Sequence, residues 1–245
     1  MKNITIRDIQ KLKFSETPFA TITAYDYVSA QNADAVDIPL LLVGDSAAMV
    51  VFGMDNTIPI SMDEMIFLVR AVSRGVEKAL VVADMPFMSY QPSIEEAVRN
   101  AGRFVKEGGA GAIKLEGGKS YTGQIKAIID AGIPVMGHIG LTPQSVNAFG
   151  GYRVRGRDCQ EAIQLLKDAQ SIQDAGAYAL VLELVPTQLS GIISKRLKIP
   201  TIGIGASVNC DGQVLVTDDL IGLKEELEKQ LFEYNNFEEE IKLIQ

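Results

Sequence analysis

Eight short aliphatic runs recur along the chain, each separated from the next by a stretch long enough for a helix. They are Phe19–Ala24, Leu40–Val43, Leu80–Asp84, Ala112–Glu116, Val135–His138, Ala179–Glu183, Thr201–Gly205 and Val214–Val216. None alternates strictly between polar and apolar residues. Such runs are strands buried on both faces, which occur in parallel sheets covered by helices. Four of them end in a charge: Gly44-Asp45-Ser46 follows the second run, and Asp84, Glu116 and Glu183 close the third, fourth and sixth. A strand interior does not tolerate an unpaired charge, so these tips must meet partners.

The intervening stretches read as helices. Residues 3–13 have Ile6, Ile9 and Leu12 at helical spacing, and Ser61/Glu64 has the spacing of a capping box. Ser93-Ile94-Glu95-Glu96 opens a helix through to Gly108, and residues 160–174 form another. Residues 47–61 and 139–157 read as longer loops. Eight β/α repeats with right-handed crossovers favour closure into a (βα)8 TIM barrel, for which 245 residues is an ordinary length. An open doubly wound sheet is the alternative. The first strand lacks a Gly-x-Gly-x-x-Gly turn, and charged tips are spread over several strands instead of gathering at one switch point. The expectation is one domain over residues 1–245, with an N-terminal helix and an acidic, amphipathic helical tail over 224–245.

Composition removes several functions. The net charge is −8, and Lys and Arg form no basic stripe, so nucleic acid is not an expected partner. No apolar run approaches the roughly 20 residues of a membrane span, and the first residues are too polar for a signal peptide. Cys159 and Cys210 match no metal spacing, so reduced thiols in a cytoplasmic protein are expected. His138 is the single histidine, which excludes a multi-histidine metal centre.

In a barrel the strand tips converge on one mouth, where active sites lie. Asp45, Ser46, Asp84, Lys114, Glu116, His138 and Glu183 would all reach it. Three carboxylates without a histidine partner make a hard-oxygen site suited to Mg²⁺. Lys114 offers a positive charge to an anionic substrate, or an amine for a Schiff base. Glu183 is the candidate base. A single Asp at a strand end is more often a helix N-cap than a ligand, and His138 fits a structural hydrogen-bonding role as well as an accessory catalytic one.

Several ordered motifs resemble one family. They include Thr23-Ala24-Tyr25-Asp26-Tyr27, Val43-Gly44-Asp45-Ser46, Ala83-Asp84-Met85-Pro86-Phe87-Met88 and Lys114-Leu115-Glu116-Gly117-Gly118. Gly137-His138-Ile139-Gly140-Leu141-Thr142-Pro143-Gln144-Ser145, Gly150-Gly151-Tyr152-Arg153-Val154-Arg155-Gly156-Arg157 and Asp211-Gly212-Gln213-Val214-Leu215-Val216 continue the series. The pattern resembles the ketopantoate hydroxymethyltransferase family, within the phosphoenolpyruvate mutase/isocitrate lyase group of barrels. The resemblance implies transfer of a hydroxymethyl group from 5,10-methylenetetrahydrofolate to 3-methyl-2-oxobutanoate, through a Mg²⁺-stabilised enolate, in pantothenate biosynthesis. By motif, Asp45 and Asp84 match metal ligands and Glu116 a third metal-associated carboxylate. Asp45, Ser46, Asp84 and Lys114 match substrate-binding positions, Glu183 matches the base, and His138 is an accessory position. The resemblance also implies a homo-oligomer, commonly a decamer. The acidic segment from Lys224 departs from the basic stretch that the family pattern carries after the eighth strand.

Overall fold

A computed structural model describes residues 3–222; the tail expected over 224–245 lies outside them. Eight parallel strands close into a barrel in chain order: β1 Phe19–Thr23, β2 Leu40–Val43, β3 Leu80–Asp84, β4 Ala112–Glu116, β5 Val135–Gly140, β6 Ala179–Glu183, β7 Thr201–Ile204 and β8 Gly212–Leu215. The helices are α1 Ile6–Lys11, α2 Tyr27–Ala35, α3 Ala47–Val50, α4 Met62–Gly75, α5 Ile94–Arg103, α6 Thr122–Asp130, α7 Val146–Phe149, α8 Cys159–Asp174, α9 Thr187–Arg196 and α10 Thr217–Leu220. Among these described helices none is long and apolar enough to cross a membrane.

The local chemistry explains most boundaries. Ser61 and Glu64 form the expected capping box at the start of α4. Helix α5 is shorter than the span to Gly108, because its last turn widens into a π-turn over Phe104–Gly108 and stops at Gly109, where φ is 81°. The two long loops contain the short helices α3 and α7. The eighth strand begins two residues earlier than its aliphatic run. Gly212 pairs with Phe19, and Val214 with Thr21. A Cβ at Gly212 would come within 2.6 Å of the Phe19 ring, so a glycine is what lets the strand start there. Its backbone partners on both sides, not its side chains, extend the strand.

Two apolar layers follow from the two-residue period of the strands. Leu41, Val43, Val81, Ala83, Ile113 and Leu115 face outward and pack with Met65, Val69, Val72, Phe104, Ile125 and Ile128 of the helices. Leu40, Leu42, Leu80, Val82, Ala112, Met136, Ala179 and Val181 face inward, with Ile9 of α1 buried among them. Continuing each inward row toward the C-terminal end of its strand gives Asp84, Lys114 and Glu116, His138, and Glu183. The charges are therefore the upper layer of the same inward rows whose lower layers are aliphatic.

On the outside of the barrel, Asp34 of α2 is buried and accepts backbone N–H bonds from Glu77, Lys78 and Ala79 at 3.0, 3.1 and 2.7 Å. Burial raises its pKa, but these donors win and hold the carboxyl below its ordinary value. Asp34→Ala should therefore lower the unfolding free energy by about 3 kcal/mol at neutral pH, through orphaned N–H groups. A folded pKa below the unfolded one gives stability that is present above the unfolded pKa of about 3.9 and lost as pH falls through the folded value. Urea unfolding of both proteins from pH 7 down to pH 3 should show the difference shrinking only in the acid range; a gap that stays constant would refute the carboxylate's role.

Candidate active site

Strand register builds the site. Asp84 of β3 lies opposite Lys114 of β4, and Glu116 of β4 opposite His138 of β5. Lys114 Nζ donates to both oxygens of Asp84 at 2.7 Å and lies 3.9 Å from Glu116 Oε1. His138 bridges two carboxylates: Nδ1 is 3.4 Å from Glu116 Oε1, and Nε2 is 3.2 Å from Glu183 Oε2. Neither contact has hydrogen-bond alignment, so the attraction is chiefly between charges. Gly140 brings β6 close at this level. Its φ is 99°, and a Cβ there would lie 2.1 Å from the Glu183 carbonyl oxygen.

Asp45 lies just past β2, and its backbone N–H donates to Asp84 Oδ2 at 3.3 Å. Its carboxylate takes a bond from Gln144 Nε2 at 2.9 Å. The capping alternative for Asp45 and Asp84 thus falls away: their side-chain oxygens bond Gln144, Lys114 and the Asp45 amide, not the N-terminus of a helix. Ser46 Oγ shares a 2.8 Å hydrogen bond with the Tyr25 hydroxyl. All seven sequence-predicted residues therefore gather at one end of the barrel, with Asp45, Asp84, Lys114, Glu116 and His138 buried and Glu183 more open.

Charge sets the protonation states. Burial and the neighbouring carboxylates Asp84 and Glu116 push Asp45 well up, against Lys114 and Gln144. Asp84 is raised by burial, with Lys114 opposing. Burial also works against the charged form of Glu116, but His138 and Lys114 overcome it and hold Glu116 below its usual value. Lys114 moves up, since Asp84, Glu116 and Asp45 outweigh burial. An ammonium held this way has no lone pair for Schiff-base attack, which argues against that route. His138 is pulled down by burial and by Lys114, yet Glu116 and Glu183 on its two sides raise it to about 9.

The oxygen donors suit a hard cation. Four carboxylates (Asp45, Asp84, Glu116 and Glu183) face two cations, Lys114 and the imidazolium of His138, a surplus of two negative charges when all are ionised. A divalent ion would neutralise that surplus. Among the described residues no three His, Cys, Asp or Glu side chains converge on one metal position. Mg²⁺ is held by as few as one or two direct carboxylates, completing its shell with water and substrate oxygens, and Asp45 and Asp84 are donors of that kind.

Sequence reasoning passed over Gln144 and Tyr90. Both are buried and hydrogen-bonded to each other at 2.9 Å. Gln144 stands inside a quoted motif, but nothing local marks a glutamine as buried.

The chain is similar to known proteins in both sequence and fold. It matches the family described as Ketopantoate hydroxymethyltransferase over residues 3–243, a span that takes in most of the acidic tail. A relative from Carboxydothermus hydrogenoformans, named 3-methyl-2-oxobutanoate hydroxymethyltransferase, is 55% identical over 223 residues, covering 91% of this chain and 81% of the relative. One of the same name from Clostridium novyi is 54% identical with the same coverage. The solved structure of 2,3-dimethylmalate lyase, a PEP mutase/isocitrate lyase superfamily member, is 16% identical and superposes with a TM-score of 0.63 over 94% of this chain and 88% of its own. That likeness extends to the fold.

Because the chain has a single histidine, the imidazole of His138 can be followed without overlap. In metal-free protein the ¹⁵N imidazole signals should titrate near pH 9, and Glu183→Gln should lower the midpoint by removing one flanking negative charge. A midpoint at or below the ordinary value of about 6.5 would contradict the double carboxylate clamp.

Proposed function

The chain belongs to the ketopantoate hydroxymethyltransferase family, and on that premise we propose that it transfers a hydroxymethyl group from 5,10-methylenetetrahydrofolate to 3-methyl-2-oxobutanoate, forming ketopantoate for pantothenate synthesis. The observation that supports this reading most is the buried group of Asp45, Asp84, Lys114 and Glu116 beside the more accessible Glu183.

Asp45 and Asp84 are the proposed direct ligands of Mg²⁺, and Glu116 adds its charge from one strand further. Asp84 Oδ2 accepts from both Lys114 and the Asp45 amide, whereas Oδ1 accepts from Lys114 and retains a further lone pair. Bound there, Mg²⁺ would polarise the 2-oxo group and stabilise the negative charge of the enolate. Lys114 places its ammonium against the anionic substrate, and Asp84 holds that ammonium in place. Ser46, steadied by Tyr25, lies on the same rim and is the proposed polar contact to the substrate.

Glu183 is the proposed base. His138 draws on its Oε2, which orients the carboxylate and leaves Oε1 for the C3 proton. Loss of that proton gives the enolate, whose C3 attacks the folate methylene. The methylene carbon exchanges its two C–N bonds for the new C–C bond and a hydroxyl supplied by water, and the two released folate nitrogens take up one proton from that water and one from Glu183. Two free cysteines support a reducing, cytosolic setting. Membership of the family supports assembly with further copies of the chain; light scattering should return a mass above one chain, and a strictly monomeric protein would refute the assembly.

The reaction divides into two halves that separate experimentally. With 3-methyl-2-oxobutanoate in deuterated water and no folate, C3 exchange should require Mg²⁺, stop with EDTA and return when Mg²⁺ is restored. Glu183→Gln should slow exchange by about 10²–10⁴-fold. Undiminished exchange would remove Glu183 as the base, and exchange without ketopantoate formation when the folate is supplied would point to a different 2-oxo acid enzyme.

A further inference from the structure

The buried amide of Gln144 is held on both sides. Its Nε2 donates to Asp45 Oδ2 and to the Met85 carbonyl, each at 2.9 Å. Its Oε1 accepts from Gln91 Nε2 at 3.1 Å and shares the single Tyr90 hydroxyl proton, 2.9 Å away, with the Glu116 carbonyl. Its backbone N–H donates to Glu116 Oε2 at 3.1 Å. A carboxylate and a carbonyl offer only acceptors, whereas the other side offers donors, so a turned-over amide would set oxygen against two acceptors. One orientation is imposed, and in it the donated bond falls on a single oxygen of Asp45. No described residue donates to the other, Oδ1.

We propose that Gln144, held by Gln91 and Tyr90, is a positioning residue that turns Asp45 Oδ1 toward the divalent cation. This rests on the reading of Asp45 and Asp84 as metal ligands. Asp45 lies beyond the last residue of β2, where the ladder no longer restrains it. An aspartate on a loop can rotate away from a metal unless something holds its second oxygen. Gln144 supplies that hold from the far side of the β5 loop, and through its backbone it also holds Glu116. Outer partners of this kind fix ligand orientation.

Tyr90 has a smaller, indirect share. Its ring meets Tyr121 edge-on at 5.3 Å, so removing only the hydroxyl leaves the ring seated. Gln91 would still hold Gln144 Oε1. Tyr90→Phe should therefore loosen the amide without releasing it, and should add nothing once the amide is gone.

The test is equilibrium titration of the full-length protein with Mn²⁺, following free metal by electron paramagnetic resonance without organic substrate. Gln144→Met, which keeps the length but lacks the amide, should weaken binding roughly 10–100-fold, the usual cost of losing an outer partner. Tyr90→Phe should weaken it about threefold, and the double variant should match Gln144→Met, as expected of residues acting in one chain of contacts. Far-UV circular dichroism should be unchanged in each.

Wild-type affinity in Gln144→Met would overturn the proposal, as would an undiminished Tyr90→Phe effect in the Gln144→Met background. Should Gln144→Met fail to fold, Tyr90→Phe decides alone, and an unchanged affinity there overturns the proposal. Asp45→Asn separates the two levels. Unaltered Mn²⁺ binding in Asp45→Asn would sink the metal site itself. Binding lost in Asp45→Asn but kept in Gln144→Met would sink only the role of Gln144.

Discussion

The ion pair between Lys114 and Asp84 is what allows the rest of this site to exist. Both side chains are buried inward positions on adjacent strands, opposite one another in register. Without Lys114, Asp45, Asp84 and Glu116 would crowd a low-dielectric pocket with little to offset their repulsion. With Asp84 removed, a buried ammonium would lose its closest counter-charge. Each half is costly alone, which is why a buried pair of this kind is fragile to single substitution. The pair stabilises a particular distribution of charge at the barrel mouth more than it stabilises the fold.

From that pair the site spreads along the strands in order. Glu116, two residues beyond Lys114, passes the negative charge to β5, where His138 takes it up and hands a contact to Glu183 on β6. Charges alternate along this row: carboxylate, ammonium, carboxylate, imidazolium, carboxylate. The alternation explains how so many ionised groups share one pocket. It also separates their surroundings, because the buried end crowds Asp45 and Asp84, whose pKa values are pushed up, while Glu183 at the other end is more exposed.

Much of this was legible before any coordinates. Aliphatic runs ending in Asp84, Glu116 and Glu183 pointed to inward rows with a polar top layer, and eight β/α repeats favoured a barrel over an open sheet. The expected seven side chains do meet. Less legible were β8, whose first residues Gly212 and Gln213 are strand only because β1 and β7 pair with them, and the short helices inside the long loops. The roles of Gln144 and Tyr90 were not legible at all. Gln144 lies on a loop 99 residues along the chain from Asp45, and no local pattern forecasts that contact.

The amino-acid sequence by itself determined which residues would carry charge at the mouth, because a strand's two-residue period and its length assign each side chain a face and a height. It also determined the family, through long ordered motifs. Only the tertiary structure decided who partners whom. It put Lys114 on Asp84, set His138 between two carboxylates, and brought Gln144 back to Asp45. Those choices depend on strand register and on where a loop returns, and both are set by packing between elements far apart in the chain.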